Sequence, residues 1–279
     1  MRWQGRRGST NIEDRRRSGS SGMAIGGAGG LGVLAIVVIG ALFGVDLTPM
    51  LGGGGDSIQS GSYEPTEADN RAAEFVSVTL ADTEQIWSDI FRTELGQTYE
   101  PTTLVLFKGA TQSGCGGASA QSGPFFCPID KKVYLDTDFF VTLEQQLGAS
   151  GDFAAAYVVA HEVGHHVQDL LGILDEAQRG QQQGANSASV RTELQADCFS
   201  GVWANHAQNQ LGTLEAGDID EAMNAASRIG DDTLQQEAGG GVRPDSFTHG
   251  TSEQRTRWFM TGYESGDIGQ CNTFQARQL

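Results

Sequence analysis

Hydrophobic positions change their rhythm several times along the chain, and each rhythm predicts a different element. From Met23 to Val45, 23 consecutive residues carry no charge, with the strongest apolar run at Leu31–Phe43. About 20 apolar residues cross a bilayer core as a helix, so residues 23–45 are expected to form a transmembrane anchor. A cleaved signal peptide is the rival reading. Its apolar region is usually about 7–15 residues with a small-residue cleavage site, and no A-x-A pattern follows Phe43. Residues 46–65 (DLTPMLGGGGDSIQSGSYEP) lack periodicity and read as a flexible linker.

From Thr66 onward the pattern is that of a folded domain, residues 66–279. Thr66 and Asp69 offer N-cap oxygens, and Phe75, Val78, Ile86, Trp87, Ile90 and Phe91 recur on one helical face as far as Gly96. TTLVLF at 102–107 and Val133–Leu135 have the β-branched and aromatic content of strands. Helical periodicity then returns at roughly 139–147, 152–173, 187–211, 216–230 and 252–264. The expected class is α+β: a helix-rich domain with a small sheet. The Gln- and Gly-rich stretch 176–189 reads either as a solvated connector or as a loop shaping a site.

Charge adds a topology. Residues 1–22 hold six arginines against Glu13 and Asp14. By the positive-inside rule this basic end stays in the cytoplasm, and the domain after the span lies beyond the cytoplasmic membrane. Gly26 and Gly30 have the G-x-x-x-G spacing that lets two spans pack, although small residues are common in any such helix. The chain as a whole carries a formal charge of −17, which repels phosphate backbones and argues against a nucleic-acid partner. No internal repeat is visible, which argues against solenoids and propellers.

Four cysteines, Cys115, Cys127, Cys198 and Cys271, include no C-x-x-C pair. Outside the cytoplasm an even number favours disulfides. Three connectivities are open. Cys115–Cys127 would close a Gly/Ser-rich loop and Cys198–Cys271 would tie the tail to a helix, with a buried free thiol at Cys198 as the alternative.

The chemistry concentrates in AAAYVVAHEVGHHVQD, residues 154–169, where His161-Glu162-Val163-Gly164-His165 spells H-E-x-x-H. On a helix, positions four apart share a face, so both imidazoles project together. That spacing suits two corners of a zinc tetrahedron, with Glu162 on the flank as the base for an attacking water. A third protein ligand is needed. RTELQADCFSGVW, residues 191–203, offers Glu193 with Asp197 one turn later, 28 residues beyond His165. Glu193 is the expected ligand and Asp197 the acceptor that orients a ligand histidine. His166, His206 and Asp169 are rivals in no better position, and His166 points about 100° away from His165 on a helix of 3.6 residues per turn. His249, in FTHGTSEQR at 247–255, is a candidate donor to the oxyanion of an attacked carbonyl, with Arg255 as a second transition-state support.

At these residues the chain resembles the gluzincin zinc metallopeptidases, which pair H-E-x-x-H with a downstream Glu and E-x-x-x-D. More narrowly it resembles a bacterial neutral zinc metallopeptidase family with an Arg-rich N-terminus and one anchor. MRWQGRRGSTNIEDRR, CGGASAQSGPFFCPIDKKVYLD, HEVGHHVQDLLG, ELQADCFSGVW and FTHGTSEQRTRWF carry that resemblance. It implies His161, His165 and Glu193 as ligands of one Zn2+ and Glu162 as catalytic. The expected activity is zinc-dependent hydrolysis of a protein or peptide. A non-hydrolytic module binding proteins or cell-wall material, and an amidase acting on cell-wall peptide bridges, stand as alternatives.

Overall fold

In the computed structural model, residues 1–17, 64–119, 122–145, 148–149, 151–239 and 241–279 are described. Thr66 opens the longest helix, α1 (Glu67–Ile90), through a capping box: its side chain accepts from the Asp69 N–H while Asp69 accepts from the Thr66 N–H. A π-helical turn, Phe91–Leu95, carries the same apolar face to Gly96, which ends it in the left-handed region.

Four strands form the main sheet: β1 (Ile12–Asp14), β2 (Thr103–Phe107), β5 (Phe125–Cys127) and β6 (Lys132–Asp136), in the order β1-β2-β6-β5. β1, β2 and β6 are parallel, with Leu104 opposite both Ile12 and Val133, and β5 runs antiparallel at the edge. Alternate residues of β2 serve two cores. Leu104 and Leu106 face the helices with Val133 and Leu135, whereas Val105 and Phe107 join Tyr134, Cys127 and Ala118 in a smaller cluster. Burial on both faces explains why Leu104–Phe107 reads as an unbroken apolar run. The second cluster is roofed by the hairpin β3 (Ala110–Ser113) and β4 (Gly116–Ser119), tied to β5 by the Cys115–Cys127 disulfide. These short, Gly- and Ser-rich strands and β1 carry little apolar periodicity, which is why the sequence pattern does not reveal them.

The helical layer is α2 (Phe139–Gln145), α3 (Asp152–Leu170), α4 (Ile173–Ala177), α5 (Ala188–His206), α6 (Asp218–Arg228), α7 (Asp231–Glu237) and α8 (Ser252–Ser265). The helix-rich α+β expectation therefore holds. α3 and α5 are buried through the middle of the domain, with Phe153 stacked on Trp203 and Trp87 of α1 set edge-on against Phe199. Cys198 and Cys271 are disulfide-bonded, so the tail is tied to α5 and the free-thiol alternative falls.

Residues 1–17 overturn the expected membrane topology. β1 hydrogen-bonds into the sheet beside β2, and Trp3 lies edge-on to Phe75 of α1 at 5.5 Å. The Met1 ammonium reaches Asp152 of α3 at 2.8 Å and Asp218 of α6 at 3.2 Å, and Arg16 is buried with Nη1 donating to the Asp69 carbonyl. A segment sharing a sheet with the domain cannot lie across a bilayer from it. Among the described residues, moreover, no helix is long and apolar enough to cross a membrane; α1 alone includes Glu67, Arg71, Glu74 and Glu84. The single-pass placement, with a cytoplasmic tail and an extracytoplasmic domain, is accordingly withdrawn. The 23–45 stretch, its Gly26/Gly30 pair and the 46–63 part of the linker lie outside the described residues. Trp3→Ala is expected to destabilise the protein by about 3 kcal/mol, the usual loss for a buried indole, as measured by urea unfolding.

Candidate metal centre

Two helices must approach closely for one to lend a ligand to the other, and α3 and α5 do so at Gly164. A Cβ built there would stand 3.1 Å from the Ala196 carbonyl oxygen, tighter than side chains ordinarily tolerate. The glycine between the two histidines thus admits the backbone of α5. Ser187 caps α5 by accepting from the Val190 N–H, which sets the turn that carries Glu193.

The approach brings His161, His165 and Glu193 together, with their ligand atoms within 4.8 Å of one another. Glu193 Oε2 lies 3.1 Å from His161 Nε2 and 3.6 Å from His165 Nε2. A tetrahedral ion with bonds of roughly 2.0–2.1 Å has ligand–ligand edges of about 3.3–3.4 Å. Those two separations bracket that edge, so two imidazoles and one carboxylate fit zinc in both donor type and spacing. The field fits too. Burial opposes a charged imidazole at His161, yet Asp197 and Glu193 outweigh it and raise the group to about 10. Burial likewise works against the Glu193 carboxylate, but His165, His249 and His161 hold it well below its usual range. Positive charge is favoured where a cation would sit.

Behind His161 lies a buried network. Asp197, with no exposed surface, accepts from His161 Nδ1 (2.8 Å), the Tyr157 hydroxyl (2.5 Å) and both Nε (2.8 Å) and Nη2 (2.9 Å) of Arg255. A carboxylate only accepts, so His161 Nδ1 donates to Asp197, which fixes the ring with Nε2 turned toward Glu193. Arg255 comes from α8, which lies backbone to backbone on α5. Cβ atoms at Gly201 and Gly262 would fall within about 2 Å of opposing carbonyl oxygens, at Phe259 and Cys198. At 2% exposure, Arg255 directs its donors to Asp197, Tyr157 and the Ile229 carbonyl.

Glu162 is buried yet makes no hydrogen bond or ion pair among the described residues, leaving its carboxylate unspent. His249 stands in the turn before α8. Burial opposes its charge, but Glu193 and Asp231 outweigh that and raise it. The turn is fixed by Asp231, the first residue of α7, whose Oδ2 accepts the N–H groups of Thr248, His249 and Gly250 at 2.7–2.9 Å. The 176–189 connector braces the same turn, through Gly184 N–H to the Phe247 carbonyl, as does Ser189 Oγ to that of Thr248.

The rival ligands are elsewhere. His166 packs beside Tyr99 and Phe126 and bonds the Glu100 carbonyl, His206 bonds the Gly266 carbonyl, and Asp169 pairs with Lys131. Tyr157, Asp231 and Gln168 escape sequence reasoning. Tyr157 reads as one more core aromatic, and Asp231 and Gln168 stand in no spacing that separates them from ordinary polar residues. Gln168 Oε1 lies 2.9 Å from His165 Nδ1.

An H-E-x-x-H helix packed on a glutamate-bearing helix, within a helix-rich α+β domain, is the arrangement of a metallopeptidase. The chain belongs to the family described as "Putative neutral zinc metallopeptidase", whose model matches residues 1–274. "Uncharacterized protein YpfJ" of Escherichia coli (strain K12) is 50% identical over 286 residues, covering 98% of this chain and 99% of that protein. "Uncharacterized protein Rv2575" of Mycobacterium tuberculosis (strain ATCC 25618 / H37Rv) is 49% identical over 191 residues, 65% of each chain. No solved structure matches the chain significantly. Membership implies zinc as the metal and a protein or peptide as the substrate.

Proposed function

We propose that the protein is a zinc-dependent endopeptidase in which His161, His165 and Glu193 hold one zinc ion and Glu162 is the general base. The observation that carries this reading is the spacing of the three ligand atoms, all within 4.8 Å and edged like a zinc tetrahedron. Zinc, when bound, supplies Lewis acidity toward the scissile carbonyl and the attacking water.

The chain's own residues do the rest. Glu162, next to His161 on α3 and unpaired among the described residues, accepts the water proton on its carboxylate and returns it to the departing amine nitrogen, so no covalent intermediate is required. His249 Nδ1 is engaged by Thr248 Oγ1 at 2.8 Å, which leaves Nε2 as the donor to the developing oxyanion. Asp197 locks the His161 tautomer, while Arg255 and Tyr157 hold Asp197 in place. An unspent buried carboxylate beside the ligand pair is of no use to a passive binding module, which favours hydrolysis over that alternative.

Elemental analysis with a cleavage assay tests the proposal. Wild type is expected to hold one zinc per chain and Glu193→Ala a small fraction of it, because a three-ligand site loses a corner. A chelator should stop cleavage of casein or a peptide library, and added zinc should restore it. Equal zinc in the two proteins would remove Glu193 from the site.

A further inference from the structure

The second imidazole has an orienting system of its own, built from two glutamines. Gln168, on α3 three residues after His165, is completely buried, and Gln195 of α5 is nearly so. Gln168 Nε2 lies 2.8 Å from the Thr192 carbonyl oxygen and 3.0 Å from Gln195 Oε1. Gln195 Nε2 lies 2.9 Å from the Cys271 carbonyl oxygen.

The direction of every bond in this chain follows from its ends. A main-chain carbonyl only accepts, so Cys271 requires the Gln195 amide nitrogen to face it, which turns Gln195 Oε1 toward Gln168. Thr192, also a carbonyl, requires the Gln168 nitrogen as well. Both N–H bonds of Gln168 are thereby used, and its oxygen must face His165 Nδ1. Flipping either amide would set oxygen against oxygen in a buried place, where an unpartnered polar group is expensive. His165 Nδ1 must then be the donor, which leaves Nε2 as the nitrogen on the side of Glu193, 3.6 Å from its Oε2. The far end is anchored, since Cys271 is disulfide-bonded to Cys198 one turn along α5 from Gln195.

We infer that Gln168 is a positioning residue for His165: a relay running Cys271 carbonyl–Gln195–Gln168 holds that imidazole in the Nδ1–H tautomer and presents Nε2 to the metal. The inference rests on the zinc reading above, and it assigns the second ligand a neutral amide partner where the first has Asp197. Asp197 is a charged sink for His161. Gln168 is a directional clamp, whose polarity is dictated by backbone at both ends.

The experiment compares Gln168→Met, which keeps length and loses the acceptor that faces His165, with Gln195→Met, which leaves that acceptor in place and removes only the far half of the relay. Zinc affinity is measured by competition with a chromophoric chelator. Gln168→Met is expected to weaken zinc binding by roughly 10–100-fold, as loss of an orienting partner does, and Gln195→Met to weaken it less, because Gln168 Nε2 still donates to the Thr192 carbonyl. Weakening in Gln195→Met equal to or greater than that in Gln168→Met, or affinity within threefold of wild type in Gln168→Met, overturns the inference. Imidazole 15N spectra of the wild-type chain, with and without zinc, provide a readout that needs no variant to fold. A proton on His165 Nδ1 in both states supports the relay, and an unprotonated Nδ1 in the zinc-free chain refutes it. Failure of wild type to bind zinc would reject the metal reading instead, with the zinc-free tautomer still deciding the relay.

Discussion

Glu162→Gln is expected to lower kcat by about 10²–10⁴-fold, the usual worth of a positioned acid–base group, with zinc content unchanged. The substitution is nearly isosteric and removes only the capacity to take a proton. Glu162 has no structural partner to lose among the described residues, so the folded protein should melt close to wild type. KM should move little, because the amide still occupies the same place beside His161. Matched kinetics and elemental analysis on the two proteins decide the point. Full hydrolysis by a zinc-loaded Glu162→Gln protein would mean that the base lies elsewhere.

Arg255→Met is expected to cost about 3–5 kcal/mol of stability, because it strands a fully buried carboxylate without its cation. It should also weaken zinc binding, since Asp197 then loses the donors that aim it at His161. The charge on Asp197 sets the pH behaviour. Burial alone would raise its carboxyl, but Arg255 and His161 outweigh that and hold it at about 2 against an ordinary 3.8. A depressed carboxyl contributes stability that is complete above its unfolded value and disappears as pH falls toward the folded one. Wild type should therefore keep this contribution down to about pH 4 and lose it toward pH 2. In Arg255→Met the acid limb of unfolding should move upward in pH. Combining it with Asp197→Asn should return part of the lost stability, because no buried charge is then left unpaired. Urea unfolding across pH measures all three, and a loss below about 1 kcal/mol for Arg255→Met would contradict a buried ion pair.

The longer helices and the two inner strands were legible because each is amphipathic or doubly buried over enough residues to show a period. Phe75 to Phe91 recurs on one face, and Leu104–Phe107 is apolar throughout. β1, the β3–β4 hairpin and α7 were not, since a three- or four-residue strand or a seven-residue helix is shorter than the window in which a period emerges. Arg255 shows a different limit. A polar arginine near a catalytic motif reads as a group meant for substrate, and only the structure shows it buried with its guanidinium paired to Asp197.

Sequence by itself determined the local chemistry. H-E-x-x-H sets two imidazoles on one face because helical geometry is the same in any protein, and E-x-x-x-D does the same for two carboxylates. Tertiary structure alone decided which faces meet. Gly164 lets α5 come near enough for Glu193 to share a point with both histidines, and Gly201 with Gly262 lets α8 deliver Arg255. It also decided where the first residues belong: their arginines and uncharged neighbours suggested a membrane topology, yet β1 completes the sheet edge beside β2. Composition records what a segment could bury itself in, and only packing determines what it does bury itself against.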